Sequence, residues 1–179
     1  MTRPFVRGAH GGPCLVLDEV EREIVRDLLD QLLALLDSRR LESPEPSDDP
    51  LAAVVGLHGA TDEPDDPALA RLFPSAYRDD DEAAGDFRRY TEGGLRDRKA
   101  AAVRAALDTL EDDAPAELDP EAALAWLGAL NDLRLVLGVR LDVREDDDPD
   151  TWADDPDAAA YAVYWWLGLA QESLLDLLA

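Results

Sequence analysis

Residues 130–141, LNDLRLVLGVRL, mix leucines with Asn131, Asp132, Arg134 and Arg140, and the direction those four take decides the fold. At ~100° per residue, Trp126, Leu127, Leu130, Leu133, Leu137 and Leu141 form one broad apolar stripe, so the segment predicts a helix. Asp132 and Arg140 project outside the centre of the stripe, where water can reach them. Arg134 projects between Leu127 and Leu130, inside it, with Asn131 and Gly138 on its edge. An unpaired buried charge is strongly destabilising, so a guanidinium in an apolar contact requires a carboxylate or several carbonyls. Glu172, Asp86 and Glu92 are the expected partners. Two readings stay open: a salt-bridge network that fixes how helices cross, or a pocket that uses Arg134 to contact an anion.

Working outward, Asp119 and Pro120 supply an N-cap and a first helical residue, which predicts a helix over 120–141. An acidic loop follows at 142–155. Asp155-Pro156 repeats the start signal for a last helix over 156–179. Within it AAAYAVYWWLGLA is apolar nearly all round, which implies a central helix or an oligomer interface, with a homodimer through 161–170 as one form. Upstream, PFVR and CLVL flank GAHGGP and predict a β-hairpin in 1–17. Asp18 and Glu21 form a capping-box pattern opening a wide-faced, central helix over 18–41. Residues 42–67 read as an acidic, Pro-rich loop with one helical turn at LAAVVGL. Helices occupy 68–113: a short piece at PALARLFP, then a long one from about 82 to 110. The glycines at 93 and 94 are expected to break or kink it, with Thr91 capping its second half. Residues 114–119 are a linker. The fold class is therefore mainly α: a single domain, an irregular helical bundle of five to six helices with a small N-terminal β-hairpin.

The chain has 179 residues, enough for one real core, and carries 41 acidic against 17 basic residues for a net charge of −24. That field repels phosphate backbones and anionic lipid, which disfavours direct nucleic-acid binding and favours cationic partners. Abundant Ala, Asp, Arg and Leu beside the single lysine, Lys99, give the charge a blander source in genome composition or salt adaptation. One cysteine, Cys14, excludes an internal disulfide and a cysteine zinc cluster. No amino-terminal apolar core reads as a signal peptide, and no run reaches the ~18 apolar residues of a membrane span. The protein reads as cytoplasmic and soluble.

The stretch RRYTEGGLRDRKAAAVR at 88–104 is the only locally basic one. On a continuous helix Arg88, Arg96 and Lys99 line one face with Glu92 between them, and Arg89 lies beside it. Two readings compete there, a docking face for an acidic helix or a nucleotide and neutralisation by surrounding acid. Asp146, Asp148, Asp150, Asp154 and Asp157 fall at EF-hand positions, but Thr151 stands where glycine is needed, Pro149 intrudes, and the last ligand is not Glu. A solvated acidic turn is expected, with no metal and no cofactor. Cys14 opens a strand after Gly-Gly-Pro; a reactive thiolate there requires a cation, His10 or Arg7 across the hairpin. His10 and His58 stand in loops outside any catalytic motif, and GxSxG, HExxH, Walker-type and GxGxxG patterns are absent, so no enzyme is expected.

Three segments in order, LARLFPSAYRDDDEAAGDFRRYTEGGLRDRKAAAV, WLGALNDLRLVLGVRL and YAVYWWLGLAQESLL, resemble the actinobacterial AosR family of oxidative stress regulators, formerly a domain of unknown function. The resemblance covers nearly the whole chain. It implies a small, cytoplasmic, mostly helical protein that acts in the transcriptional response to oxidants by contacting a σ factor. It also implies redox sensing through a disulfide between two cysteines close in sequence, which a chain with Cys14 alone cannot form; a sulfenate, a mixed disulfide or an intermolecular bond is what that thiol leaves open. The resulting expectation is a non-enzymatic regulator working by protein contact through Arg88, Arg89, Arg96, Lys99, Asn131, Asp132, Arg134 and Glu172. An oligomeric scaffold or a small-anion-binding module centred on Arg134 is the alternative.

Overall fold

The computed structural model describes residues 3–42, 62–77, 79–111, 115–148, 152 and 155–179. The helical turn expected at LAAVVGL and His58 lie outside them, as do Pro149, Asp150, Thr151 and Asp154 of the acidic loop. In chain order the elements are β1 (Phe5–Arg7), β2 (Pro13–Leu15), α1 (Glu19–Glu42), α2 (Pro67–Leu72), α3 (Asp81–Asp108), β3 (Ala116–Glu117), α4 (Pro120–Arg140) and α5 (Ala158–Leu178). The architecture is mainly α, with a three-stranded antiparallel sheet in the order β1-β2-β3.

The expected hairpin is present, β1 pairing with β2, and β3, within the expected linker, adds a third strand to it. Cys14 pairs with Glu117 and Leu15 with Ala116. The turn of the hairpin closes around the Glu117 carboxylate, which accepts hydrogen bonds from the Ala9 N–H (2.9 Å) and pairs with His10 Nδ1 (2.5 Å). A Cβ at Gly8 would stand 3.0 Å from that carboxylate, and Gly11 has φ +88°, so the two glycines let the turn wrap it.

Capping side chains open most helices. Asp18 accepts from the Glu21 N–H (2.8 Å) while Glu21 accepts from the Asp18 N–H (3.2 Å). Asp66, Asp80 and Asp119 each accept from the backbone of the first turn they precede. Asp66 also ties α2 to the far end of α4 by accepting from Arg140 at 2.6 Å. Burial works to raise its carboxyl, but the Arg140 and Ala68 hydrogen bonds outweigh that and hold it below the usual range. α5 starts later than Asp155-Pro156 implies: Asp155 accepts from the Asp157 N–H in a preceding turn, and Asp157 makes no side-chain cap.

α3 runs through Gly93 and Gly94 without a break. Each glycine costs about 1 kcal/mol of helix propensity, but the buried anchors Arg88, Glu92, Ala100 and Val103 on either side outweigh it. Thr91 therefore caps nothing; its hydroxyl donates to the Phe87 carbonyl one turn back (2.8 Å).

The central helix is α4, rather than α1 or α5, for it packs against each of the other four described helices. Trp126 fills the middle of the core, edge-on to Phe5 (5.7 Å between ring centres) and donating from Nε1 to Thr109 at 3.0 Å. Truncating it would cost about 3–5 kcal/mol. α4 is also, among the described residues, the one helix long and apolar enough to cross a membrane, which qualifies the expectation that no run suffices. Its length and apolar character serve the centre of the bundle here.

Candidate functional site

The expected polar centre divides into three places. The first joins α1 to α3. Glu92 is 5% exposed and accepts from Arg39 Nε at 2.8 Å and Nη2 at 3.3 Å, with Arg88 Nε at 3.4 Å on the same carboxylate. Arg39 Nη2 also donates to the Asp62 carbonyl at 2.6 Å. Arg88 and Glu92 meet because positions four apart share one face of a helix. Arg39 was missing from the sequence reading. Its signal was present: Val25, Leu29, Leu32 and Leu36 are the buried stripe of α1, and Arg39 is the next position of that spacing.

The second place joins α3 to α4. Lys99 Nζ donates to Asp132 Oδ1 at 2.6 Å, with side chains 16% and 5% exposed. The expectation that Asp132 is solvated is wrong. α3 covers that side of α4, and the acid receives the one lysine there. Asn131, expected at the edge of the apolar contact, is exposed instead. Arg96 turns to Asp97 (3.2 Å), and Arg89 is half-buried on α3.

The third place is Arg134, between α4 and α5. It is half-buried, as its projection implied, but meets none of the three expected carboxylates. Its Nη1 donates to Gln171 Oε1 at 2.9 Å and its guanidinium carbon lies 5.5 Å from the centre of the Tyr164 ring. Its Nε is shielded from water and has no hydrogen-bond partner. Glu172, one residue beyond Gln171, faces outward and lies 4.0 Å from Arg3 instead. Asp86 is exposed on α3. Gly168 stands over the guanidinium: a Cβ there would sit 3.7 Å from Arg134 Nε, so no side chain of α5 covers it at that point.

Cys14 lies apart from all three, buried in β2. Burial pushes its thiol up, and the Glu117 carboxylate on the neighbouring strand pushes it further. Both expected cations are engaged elsewhere: His10 by Glu117, and Arg7 by the Gly11 carbonyl, to which it donates. The surroundings hold Cys14 as a thiol.

Exposed aromatic surface gathers near the start of α3. Tyr77 and Phe87 meet edge-to-face with ring centres 6.0 Å apart, and Tyr90 is exposed one turn along. Of the acidic loop, Trp152 stacks on Tyr161 at 4.8 Å and approaches Tyr164 at 6.1 Å, so an aromatic cluster adjoins the Arg134 side of α5.

Residues 2–178 match the family described as a domain of unknown function, DUF2017. Mycobacterial relatives named oxidative stress regulator AosR, from Mycobacterium bovis and Mycobacterium tuberculosis, are 36% identical over 170 residues, covering 87% of this chain and 77% of theirs. A Mycobacterium leprae protein of the corresponding name is similar to the same extent. No solved structure gives a significant match. With residues 2–178 matched, the chain belongs to the DUF2017 family, and it is similar to mycobacterial proteins named oxidative stress regulator AosR.

Proposed function

We propose that this chain is a non-enzymatic regulator in the response to oxidants and works by protein contact, with a σ factor as the partner class. The regulatory part rests on the names its relatives carry. The observation that supports contact is the exposed patch of Tyr77, Phe87 and Tyr90 on and beside α3, with Arg89 next to it. Aromatic and arginine side chains of this kind are over-represented among the residues that dominate protein interfaces. The −24 charge opposes a DNA-reading mode. Cys14 makes no internal disulfide, and burial and the Glu117 carboxylate disfavour its thiolate, so the contact is expected to be independent of Cys14 oxidation.

The purified chain is titrated against the purified σ factors of its own organism by interferometry, and separately against promoter DNA. Saturable binding to a σ factor is expected, equal after peroxide and after dithiothreitol, and weakened in Phe87→Ala and Tyr90→Ala. A sequence-specific DNA shift at physiological salt without σ factor, or no σ factor binding, contradicts the reading.

A further inference from the structure

We propose that the pocket between α4 and α5 binds a small zwitterion: a molecule with a carboxylate that seats on Arg134, a flat apolar body, and a cationic group at the far end. The inference does not depend on the partner reading above.

The first ground is the state of Arg134. Among the described residues no carboxylate lies within ion-pair reach of it, although the chain carries 41 acidic residues. Its contacts are one neutral amide oxygen and one ring face, and its Nε is dry and unbonded. A guanidinium offers five N–H donors in a planar fork suited to a carboxylate, and Gln171 takes one of them. The charge and most of the donors are left to something that is not part of the bundle.

The second ground is space. Arg134 lines an open-mouthed cavity of about 550 Å³ whose walls include Trp152, Tyr164, Trp165 and Leu169. Gly168 keeps α5 from closing it over the guanidinium. The volume lies in the range of small-molecule sites, which pair mostly apolar walls with a few oriented polar groups. Trp165 is 54% exposed, an uncommon condition for that side chain on a helix whose other tryptophan, Trp166, is buried. A flat ligand lying along it would cover it.

The third ground selects the ligand's charge. Glu145, Asp147 and Glu172 also line the cavity, against Arg134 and Arg144. Arg144 is engaged by Asp142 at 2.6 Å. A simple anion would meet these acids and the net charge of −24 before it reached Arg134. A simple cation would find the guanidinium at the base. A molecule of no net charge, acid inward and ammonium outward, satisfies both, and its ammonium also lies near the Trp165 face.

Three matched probes test this by isothermal titration and tryptophan fluorescence: para-aminomethylbenzoate, benzoate and benzylamine. The zwitterion is expected to bind saturably and at least about tenfold more tightly than either single-charge probe. Arg134→Met, which removes the fork, and Gly168→Leu, which fills the cavity, are each expected to weaken it by about tenfold or more. Trp165→Ala is exposed enough to leave folding intact and is expected to lower affinity and reduce the fluorescence change. No saturable binding of the zwitterion in the millimolar range overturns the site, as does unchanged affinity in both Arg134→Met and Trp165→Ala. Benzoate binding as tightly as the zwitterion overturns the assignment of ligand class.

Discussion

At the α1–α3 contact, Arg39 and Arg88 converge on Glu92, and the carboxylate is almost wholly shielded from water. At the α4–α5 contact, Arg134 meets an amide and a ring, with a cavity in front of it. Both places bring guanidinium into helix packing. In the first the opposite charge comes from inside the fold, so the pairing serves to set how the helices cross. In the second the fold supplies orientation and leaves hydrogen-bonding capacity unused. The difference separates an arginine that holds structure from one that is available to a ligand.

The largest expected effect breaks the first contact. Glu92→Ala removes the buried carboxylate on which Arg39 and Arg88 converge, and a loss of about 3–5 kcal/mol is expected in urea denaturation. A loss under about 1 kcal/mol would mean that water enters and the centre is not structural. Next comes the pair that joins α3 to α4. Asp132→Ala is expected to cost about 2–3 kcal/mol, with Lys99→Met partly restoring stability in the double variant because the unpaired ammonium is then gone. Strict additivity would show that the two side chains do not act together.

The smallest effect sharpens the comparison from the solvent side, at His10–Glu117. The Glu117 hydrogen bond and charge raise His10 from 6.5, and the His10 hydrogen bond lowers Glu117 from 4.5. A raised histidine stabilises fully below its unfolded value and loses that contribution as pH climbs through the folded one. A lowered carboxylate stabilises above its unfolded value and loses it as pH falls through the folded one. The pair therefore contributes between about pH 4.5 and 6.5 and fades on both sides. His10→Gln is expected to remove a shallow maximum in melting temperature across that window, and salt is expected to flatten it in the parent. A melting curve with no such difference between parent and variant refutes the pairing.

Much of the helical framework was legible because its signals are local. Capping acids at Asp18 and Asp119 act within one turn, and 3.6-residue spacing of leucines reports a buried face whatever it packs on. What escaped depended on partners distant in sequence. Ala116 and Glu117 make a strand because β2 is beside them, with no strand-length pattern of their own. Asp132 looked solvated because projection shows one apolar stripe, whereas α3 covers the side of α4 that carries Asp132 and leaves Leu124 and Asn131 to water. Thr91 and the two glycines carry break signals that tertiary packing overrides. Arg134 is unusual from its phase, but none of its expected partners, Glu172, Asp86 and Glu92, receives it; Gln171, one residue before the first of them, does. That step rotates the side chain by ~100° and exchanges a carboxylate for an amide. The consequence is large: a salt bridge would have closed the site that Gln171 leaves open.

The most direct test of the contrast is the unfolding free energy of Arg134→Met beside the parent. If this arginine is surplus to the fold, the variant loses less than about 1.5 kcal/mol, the scale of one hydrogen bond and one ring contact partly replaced by a thioether. A loss as large as that of Glu92→Ala would make Arg134 a structural charge like Arg39 and contradict the distinction between the two contacts.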